Sequence, residues 1–246
     1  MAGRRRRSNI GRSTVVARRL RSARDEKSST EREARRSQMR DRYRAERERE
    51  SSVERQWVNL DLSNEEKRQA KMDFCQKYGF PGAILCVDGT HIKIVAPAKD
   101  KFLYFNRKGY YSINAMIICD NKMRIRYVNA QYPGSNHDAH IWNVSSARNF
   151  FENKYLNGER NTWLLGDAGY ALEPWLMTPF RSPTTGSAEG NYNKIHAKAR
   201  NTIERTIGVF KNRFRCLLGA RELYYEPMKV CQIVNVAAAL HNICMH

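Results

Sequence analysis

Residues 84–95 read Ile-Leu-Cys-Val-Asp-Gly-Thr-His-Ile-Lys-Ile-Val, an apolar run that turns into alternating polar and apolar residues after Asp88. Such a run without proline predicts a buried β-strand. Two more runs of this type follow at residues 110–119 and 123–131. The residues between them, Asp120, Asn121 and Lys122, are typical of a hairpin turn. The sequence therefore predicts three consecutive antiparallel strands.

Helical patterns flank these strands. Ser63 is a predicted N-cap, and Gly79 with Pro81 should end the helix that it starts. A helix at 138–151 and a short strand at 162–165 are expected next. Apolar residues at steps of three or four predict a long helix at 194–218, and residues 228–244 predict a buried one. This order of elements indicates an α/β fold, an RNase H-like mixed sheet flanked by helices.

The chain divides by composition into three parts. Residues 1–56 are rich in Arg, Glu and Ser and poor in apolar residues, so we expect a basic tail that is disordered or loosely helical. Residues 57–80 form a lead-in helix, and residues 81–246 form the globular domain. The cluster Arg4–Arg7 could be a nuclear import signal, a DNA-contacting arm or simply a solvated tail. The expected location is the nucleus, with a cytoplasmic share also compatible.

The net charge of +19 points to a polyanionic partner. Nucleic acid is the commonest such partner, and an acidic membrane surface comes second. No stretch approaches the roughly 20 apolar residues of a membrane helix, so no membrane association is expected. The six cysteines are scattered without a CxxC pair, which favours reduced thiols in an intracellular protein.

Three acids fall where the predicted elements could bring them together. Asp88 lies on the first strand, Asp167 directly after the fourth, and Glu204 on the long helix. Three carboxylates at one end of a sheet could hold Mg²⁺ or Mn²⁺, which prefer oxygen ligands and stabilise the charge that develops when a phosphodiester is cleaved. Each acid also has an ordinary alternative. Asp88 and Asp167 could shape turns, and Glu204 could pair with Arg200.

Other residues could complete such a site. Asp138 competes with Asp167 for the second position, although it could instead cap the next helix. On the long helix, a stripe of cations suited to phosphate oxygens flanks Glu204. Further candidates for nucleic-acid contact lie among aromatic residues before the second strand. The basic residues predicted to contact nucleic acid, on the long helix and before the second strand, are Arg200, Lys211, Arg215, Arg107 and Lys108. The histidines near the acids are His91 and His137.

Four blocks of sequence carry a resemblance to a known family. They are Val-Asp-Gly-Thr-His at 87–91, Pro-Gly-Ser-Asn-His-Asp at 133–138, Gly-Asp-Ala-Gly-Tyr at 166–170 and Ala-Arg-Asn-Thr-Ile-Glu-Arg at 199–205. In this order they resemble the PIF/Harbinger-type DDE transposases and the Harbinger transposase-derived nucleases, over about residues 80–245. The resemblance implies Asp88, Asp167 and Glu204 as catalytic acids, a divalent metal cofactor and a DNA substrate. It also implies a Myb-like DNA-binding partner protein.

The first 80 residues differ from the pattern of that family. Its members carry a helix-turn-helix region ahead of the first aspartate, whereas these residues hold an Arg-rich stretch and one short helix. Two hypotheses follow. The chain is an active metal-dependent DNA nuclease, or it is a catalytically inactive domesticated transposase that binds nucleic acid or a protein partner.

Overall fold

A five-stranded mixed sheet forms the centre of the computed structural model, which describes residues 57–219 and 222–245. The strands are β1 (Ala83–Lys93), β2 (Ser112–Cys119), β3 (Ile125–Pro133), β4 (Trp163–Leu165) and β5 (Leu176–Met177). Their spatial order is β3-β2-β1-β4-β5. The first three strands pair antiparallel, while β1 with β4 and β4 with β5 pair parallel. The predicted RNase H-like mixed sheet is confirmed, and the basic tail predicted at 1–56 lies outside the described residues.

Six helices surround the sheet in the described part of the chain. They are α1 (Asn64–Tyr78), α2 (Lys101–Tyr104), α3 (Asp138–Asn143), α4 (Ser146–Leu156), α5 (Ala188–Arg213) and α6 (Pro227–Ile243). Within these residues, none of the helices combines the length and the apolar character needed to cross a membrane. The ends of α1 follow the sequence signals. Ser63 and Glu66 form a capping box, and Gly79 ends the helix in the left-handed conformation at φ 76°.

The two faces of the sheet are covered by different helices. On one face, Val87, Met116 and Ile118 pack in a single apolar cluster with Trp142 of α3 and Phe151 of α4. On the opposite face lies α5. The Cys86 thiol contacts a carbonyl of α5, and Thr206 of α5 contacts Cys119. Helix α6 packs against β3 and beside α5, where the rings of Phe210 and His241 meet edge to face.

Two predicted elements differ in detail because of single polar residues. The helix expected at 138–151 is two helices, since Ser145 leaves the helical conformation and caps α4 by accepting a hydrogen bond from the Arg148 amide. The hairpin turn is confirmed but is longer than expected. Met123 takes a left-handed conformation, and the Asp120 carboxylate accepts hydrogen bonds from two turn amides, so β3 starts only at Ile125.

The long helix is shifted towards the N-terminus relative to its prediction. Ser187 caps α5 by accepting a hydrogen bond from the Gly190 amide, so α5 starts at Ala188 instead of residue 194. It ends at Arg213, because Phe214 has ψ 78° and residues 215–217 form a 3₁₀ turn. The two-residue strand β5 was not predicted, because it is too short to show a pattern.

Candidate active site at the ends of β1 and β4

Asp88 is a partly buried carboxylate on the central strand. Its side chain is only 18% exposed. One carboxylate oxygen, Oδ1, accepts a hydrogen bond from the Gly89 amide at 2.8 Å, and the other, Oδ2, accepts one from Arg200 Nη1 at 3.0 Å. Burial raises the pKa of Asp88, while the guanidinium of Arg200 opposes that rise. The pKa of Asp88 is therefore raised overall, because Arg200 does not fully offset the effect of burying the carboxylate.

Asp167 lies beside Asp88 because of the register of two parallel strands. Cys86 of β1 pairs with Leu165 of β4, and each aspartate lies two residues beyond its paired residue. Parallel strands in register bring such positions to the same edge of the sheet. The negative charge of Asp167 contributes to the raised pKa of Asp88. The structure thus brings together two of the three acids predicted from the sequence.

Arg200 connects Glu204 to this pair. The guanidinium donates through Nη1 to Asp88 and through Nη2 to Glu204, one turn further along α5. The side chain of Arg200 is 18% exposed, whereas that of Glu204 is 51% exposed. The simple alternative for Glu204, an ion pair with Arg200, is therefore present. The same arginine also binds the first predicted acid, so all three acids lie around one site.

Asp138 occupies a different place from the one expected. His137 is the residue that caps α3, so Asp138 is its first helical residue instead of its cap. The Asp138 carboxylate accepts a hydrogen bond from Asn114 Nδ2 at 2.7 Å and rests on Gly89. A Cβ placed on Gly89 would lie 2.1 Å from Oδ1 of Asp138. Since side chains alternate along a strand, Gly89 faces the α3 side and Asp88 faces α5, so Asp138 approaches β1 from the other side of the sheet.

Tyr170 is a residue of the site to which the sequence pattern assigned no role. Its side chain is 4% exposed, and its hydroxyl has no hydrogen-bond partner within the described residues. Burial is the main cause that raises the pKa of this phenol well above its ordinary value. The carboxylates of Asp138, Asp88 and Asp167 raise it further. The hydroxyl therefore lies in the field of three acids without a hydrogen bond to any of them.

The donor set suits a hard divalent cation. All three predicted ligands are carboxylates, and oxygen ligands are those that Mg²⁺ and Mn²⁺ prefer. Across residues 57–219 and 222–245, however, no three His, Cys, Asp or Glu side chains are already gathered at metal-binding distance. Arg200 lies between Asp88 and Glu204 and provides the local positive charge. The residues fit a metal by their chemistry, and binding would require the guanidinium to release at least one of its two carboxylates.

The predicted nucleic-acid contacts come from two elements, helix α5 and the loop before β2. Lys211 donates from Nζ to the His91 carbonyl at 2.7 Å, close to the candidate site. Arg107 and Lys108 lie exposed in the loop before β2. Arg215 was expected on the same helical stripe as Arg200, but this prediction is wrong, since α5 ends before it and Arg215 lies exposed in the 3₁₀ turn.

A comparison with protein families identifies the class of protein to which the chain belongs. Residues 87–242 match the DDE superfamily endonuclease family, so the chain belongs to that family. Asp88, Asp167 and Glu204 all lie within the matched range. The fold and the family together define a transposase-derived endonuclease domain.

Particular relatives agree with this class. "Putative nuclease HARBI1" of Mus musculus and of Homo sapiens are each 35% identical to the chain over 199 residues, which is 80% of this chain and 56% of each relative. "Protein ALP1-like" of Arabidopsis thaliana is 27% identical over 187 residues, 71% of this chain and 46% of that protein. The chain thus spans about half the length of the curated relatives it matches. No solved structure matches it. The resemblance to the Harbinger-derived nucleases is confirmed.

Proposed function

We propose that this chain is a divalent-metal-dependent nuclease that cleaves phosphodiester bonds of DNA, with Asp88, Asp167 and Glu204 as its catalytic acids. The observation that carries the proposal is the alignment of Asp88 and Asp167 at equivalent positions of two adjacent parallel strands, with Glu204 joined to Asp88 through Arg200. Membership of the endonuclease family supports the same reaction class.

The three carboxylates would hold Mg²⁺ or Mn²⁺, which when bound lowers the pKa of an attacking water and offsets the charge that develops on the phosphate. The chain's own residues have separate tasks. Asp88, held by the Gly89 amide, provides a carboxylate fixed on the rigid central strand. Burial raises the pKa of Asp88 and Arg200 opposes that rise, and the guanidinium can pair with a phosphate oxygen once it is released from a carboxylate.

Nicking of supercoiled plasmid by the purified chain in Mg²⁺ or Mn²⁺, with EDTA as the control, tests this function. We expect nicking to fall by at least about 100-fold in Asp88→Asn, Asp167→Asn and Glu204→Gln. Asp61→Asn is the matched control, because it removes a surface carboxylate that pairs only with Lys154 among the described side chains. Nicking that survives all three substitutions would exclude these residues as the catalytic acids.

A second candidate function is that of a catalytically inactive protein that binds nucleic acid. The observation in its favour is that Arg200 already pairs with Asp88 and Glu204, while the chain carries a net charge of +19. The same assay separates the two candidates. Salt-sensitive DNA binding without any nicking by the unsubstituted chain would favour the binding protein.

The cellular setting follows from the same proposal. A nuclease that acts on chromosomal DNA works in the nucleus, and the basic cluster Arg4–Arg7 is suited to import. A Myb-like DNA-binding partner, as implied by the resemblance to Harbinger-type transposases, would supply sequence recognition. Co-precipitation of the tagged chain from nuclear extract, compared with a variant in which Arg4–Arg7 are replaced by Ala, tests both statements.

A further inference from the structure

A cluster of basic groups lies beyond Asp88 along β1, and it is separate from the three acids. It consists of Lys108, Lys211, Arg107 and the ring of His91, and we call it the Lys108–Lys211 cluster. Lys211 reaches across from α5 to donate to the His91 carbonyl at 2.7 Å. His91 lies three residues after Asp88, which places its backbone about 10 Å further along the strand and its ring on the same face as Gly89.

The cations of this cluster have no carboxylate bonded to them among the described residues. In the described part of the chain, no ion pair is formed by Lys108, Lys211 or Arg107. Burial is the largest cause that lowers the pKa of Lys211, and Lys108 lowers it further. Burial also lowers the pKa of His91; the negative charge of Asp138 opposes that shift, and the three cations add to it. Like charges held together at a cost in energy are suited to an anionic ligand.

The loop that carries Lys108 is held in place by buried hydrogen bonds. Asn106 is buried, and its Oδ1 accepts from the Lys108 amide at 2.8 Å. Its Nδ2 donates to Ser112 Oγ at 2.8 Å, and the same hydroxyl lies 3.0 Å from His91 Nδ1. The backbone that carries Lys108 is therefore fixed, while the side chains of Arg107 and Lys108 are exposed.

This framework also fixes the ring of His91. Ser112 Oγ accepts from Asn106 Nδ2 and lies 3.0 Å from His91 Nδ1, so Nδ1 is bonded within the protein. Nε2 is the other polar atom of the ring, and the imidazole can serve there as a donor to a phosphate oxygen.

We propose that the Lys108–Lys211 cluster binds one phosphate of the nucleic-acid backbone, adjacent to the phosphate that is cleaved. The proposal rests on the proposed function for the position of the cleaved phosphate. The cluster lies about 10 Å from Asp88, so its phosphate belongs to a neighbouring nucleotide of the same bound strand. Contacts of this kind set the register of the strand and are independent of its base sequence.

The test is DNA binding measured in EDTA, so that it does not depend on cleavage. A fluorescent 30-base-pair duplex is titrated with the full chain at several salt concentrations, for the unsubstituted protein, Lys108→Gln, Lys211→Gln and the double variant. Lys122→Gln is the matched control, because Lys122 is an exposed lysine in the turn at the far end of β2 from Ser112. Lys211→Arg, which keeps the charge, checks that loss of binding is not loss of folding.

For the double variant we expect an affinity about tenfold lower and a salt slope smaller by about 0.9, the value for one lost phosphate contact. A slope smaller by about 1.8 would mean two separate phosphates and would overturn the single shared site. Values equal to those of Lys122→Gln would exclude the cluster from nucleic-acid binding. Stabilisation of the unsubstituted chain by inorganic phosphate, without any effect of the substitutions on DNA binding, would assign the cluster to a free anion. Absence of nicking together with the expected binding would refute only the proposed nuclease.

Discussion

Substitution of Gly89, the residue after Asp88, by alanine tests how closely Asp138 packs against strand β1. Gly89 has no left-handed backbone that would itself require glycine, so the effect of a Cβ is purely steric. That Cβ would lie 2.1 Å from Oδ1 and 2.5 Å from Cγ of Asp138, well inside contact distance. Either the strand and α3 must separate, or the Asp138 carboxylate must rotate away from Asn114.

Both responses have a similar cost. Overpacking a filled site costs about 1–3 kcal/mol. Loss of the Asn114–Asp138 hydrogen bond costs about the same, because one of the two N–H groups of Asn114 Nδ2 loses its acceptor while the other still bonds the Asn136 carbonyl. We therefore expect Gly89→Ala to lower the free energy of unfolding by about 2 kcal/mol. For a chain of this size that is a decrease in Tm of about 4–8 °C.

Thermal and urea unfolding in EDTA measure this change, and two variants make the result specific. In an Asp138→Ala background the clashing atoms are gone, so the further cost of Gly89→Ala should fall below about 0.5 kcal/mol. Gly208→Ala is the glycine control, since nothing lies within 4 Å of a Cβ there, and in a helix this change should stabilise by up to about 1 kcal/mol. A Gly89→Ala cost that is the same with and without the Asp138 carboxylate would refute the proposed packing.

Three further predictions concern the charges of the site. Arg200→Gln leaves Asp88 and Glu204 without their shared cation, so we expect the free energy of unfolding in EDTA to fall by about 1–2 kcal/mol. Addition of Mn²⁺ should then raise the Tm of this variant more than that of the unsubstituted chain. Equal Tm increases with Mn²⁺ would contradict this role of Arg200. Burial raises the pKa of Asp88, so its contribution to stability is present below the unfolded pKa and is lost as pH rises through the folded one. At pH 7 the ionised carboxylate therefore lowers the stability of the fold, and Asp88→Asn should unfold in EDTA at the same Tm or a higher one. Its nicking activity in Mg²⁺ or Mn²⁺ should be lost. A clear drop in Tm would show that the ion pair with Arg200 outweighs the cost of burial. Burial lowers the pKa of Lys211 to about 8, so DNA affinity in EDTA should fall by up to about tenfold from pH 7 to 9, whereas Lys211→Arg should show no such fall.

Much of the secondary structure could be predicted because its causes are local. The capping box of Ser63 and Glu66 joins residues three apart, and Gly79 ends α1 through its own backbone freedom. The sequence pattern failed where one polar residue competed with a longer periodic pattern. Ser145 divides the helix expected at 138–151, because its hydroxyl satisfies a free amide at a point where the apolar spacing would allow the helix to continue.

The candidate acids could also be predicted, and the family comparison is consistent with them, but their residue types show only which chemistry is available. Asp88 and Asp167 meet because Cys86 pairs with Leu165, a register that depends on how the whole sheet assembles. The hydrogen-bond partner expected for Glu204 from helical spacing was Arg200, four residues away. The second bond of that arginine, to a residue 112 positions earlier, has no sequence signature.

The sequence by itself determined the class of this protein, its α/β architecture and its basic character, and it predicted three candidate acids, because these depend on composition, local periodicity and ordered motifs. Only the tertiary structure decided that Asp138 rests on Gly89, that the charges of three carboxylates act on the buried Tyr170 hydroxyl, and that Lys211 contacts the His91 carbonyl. Each of these contacts joins different elements of the fold. Their distances are set by strand register and helix packing, which local sequence patterns do not encode.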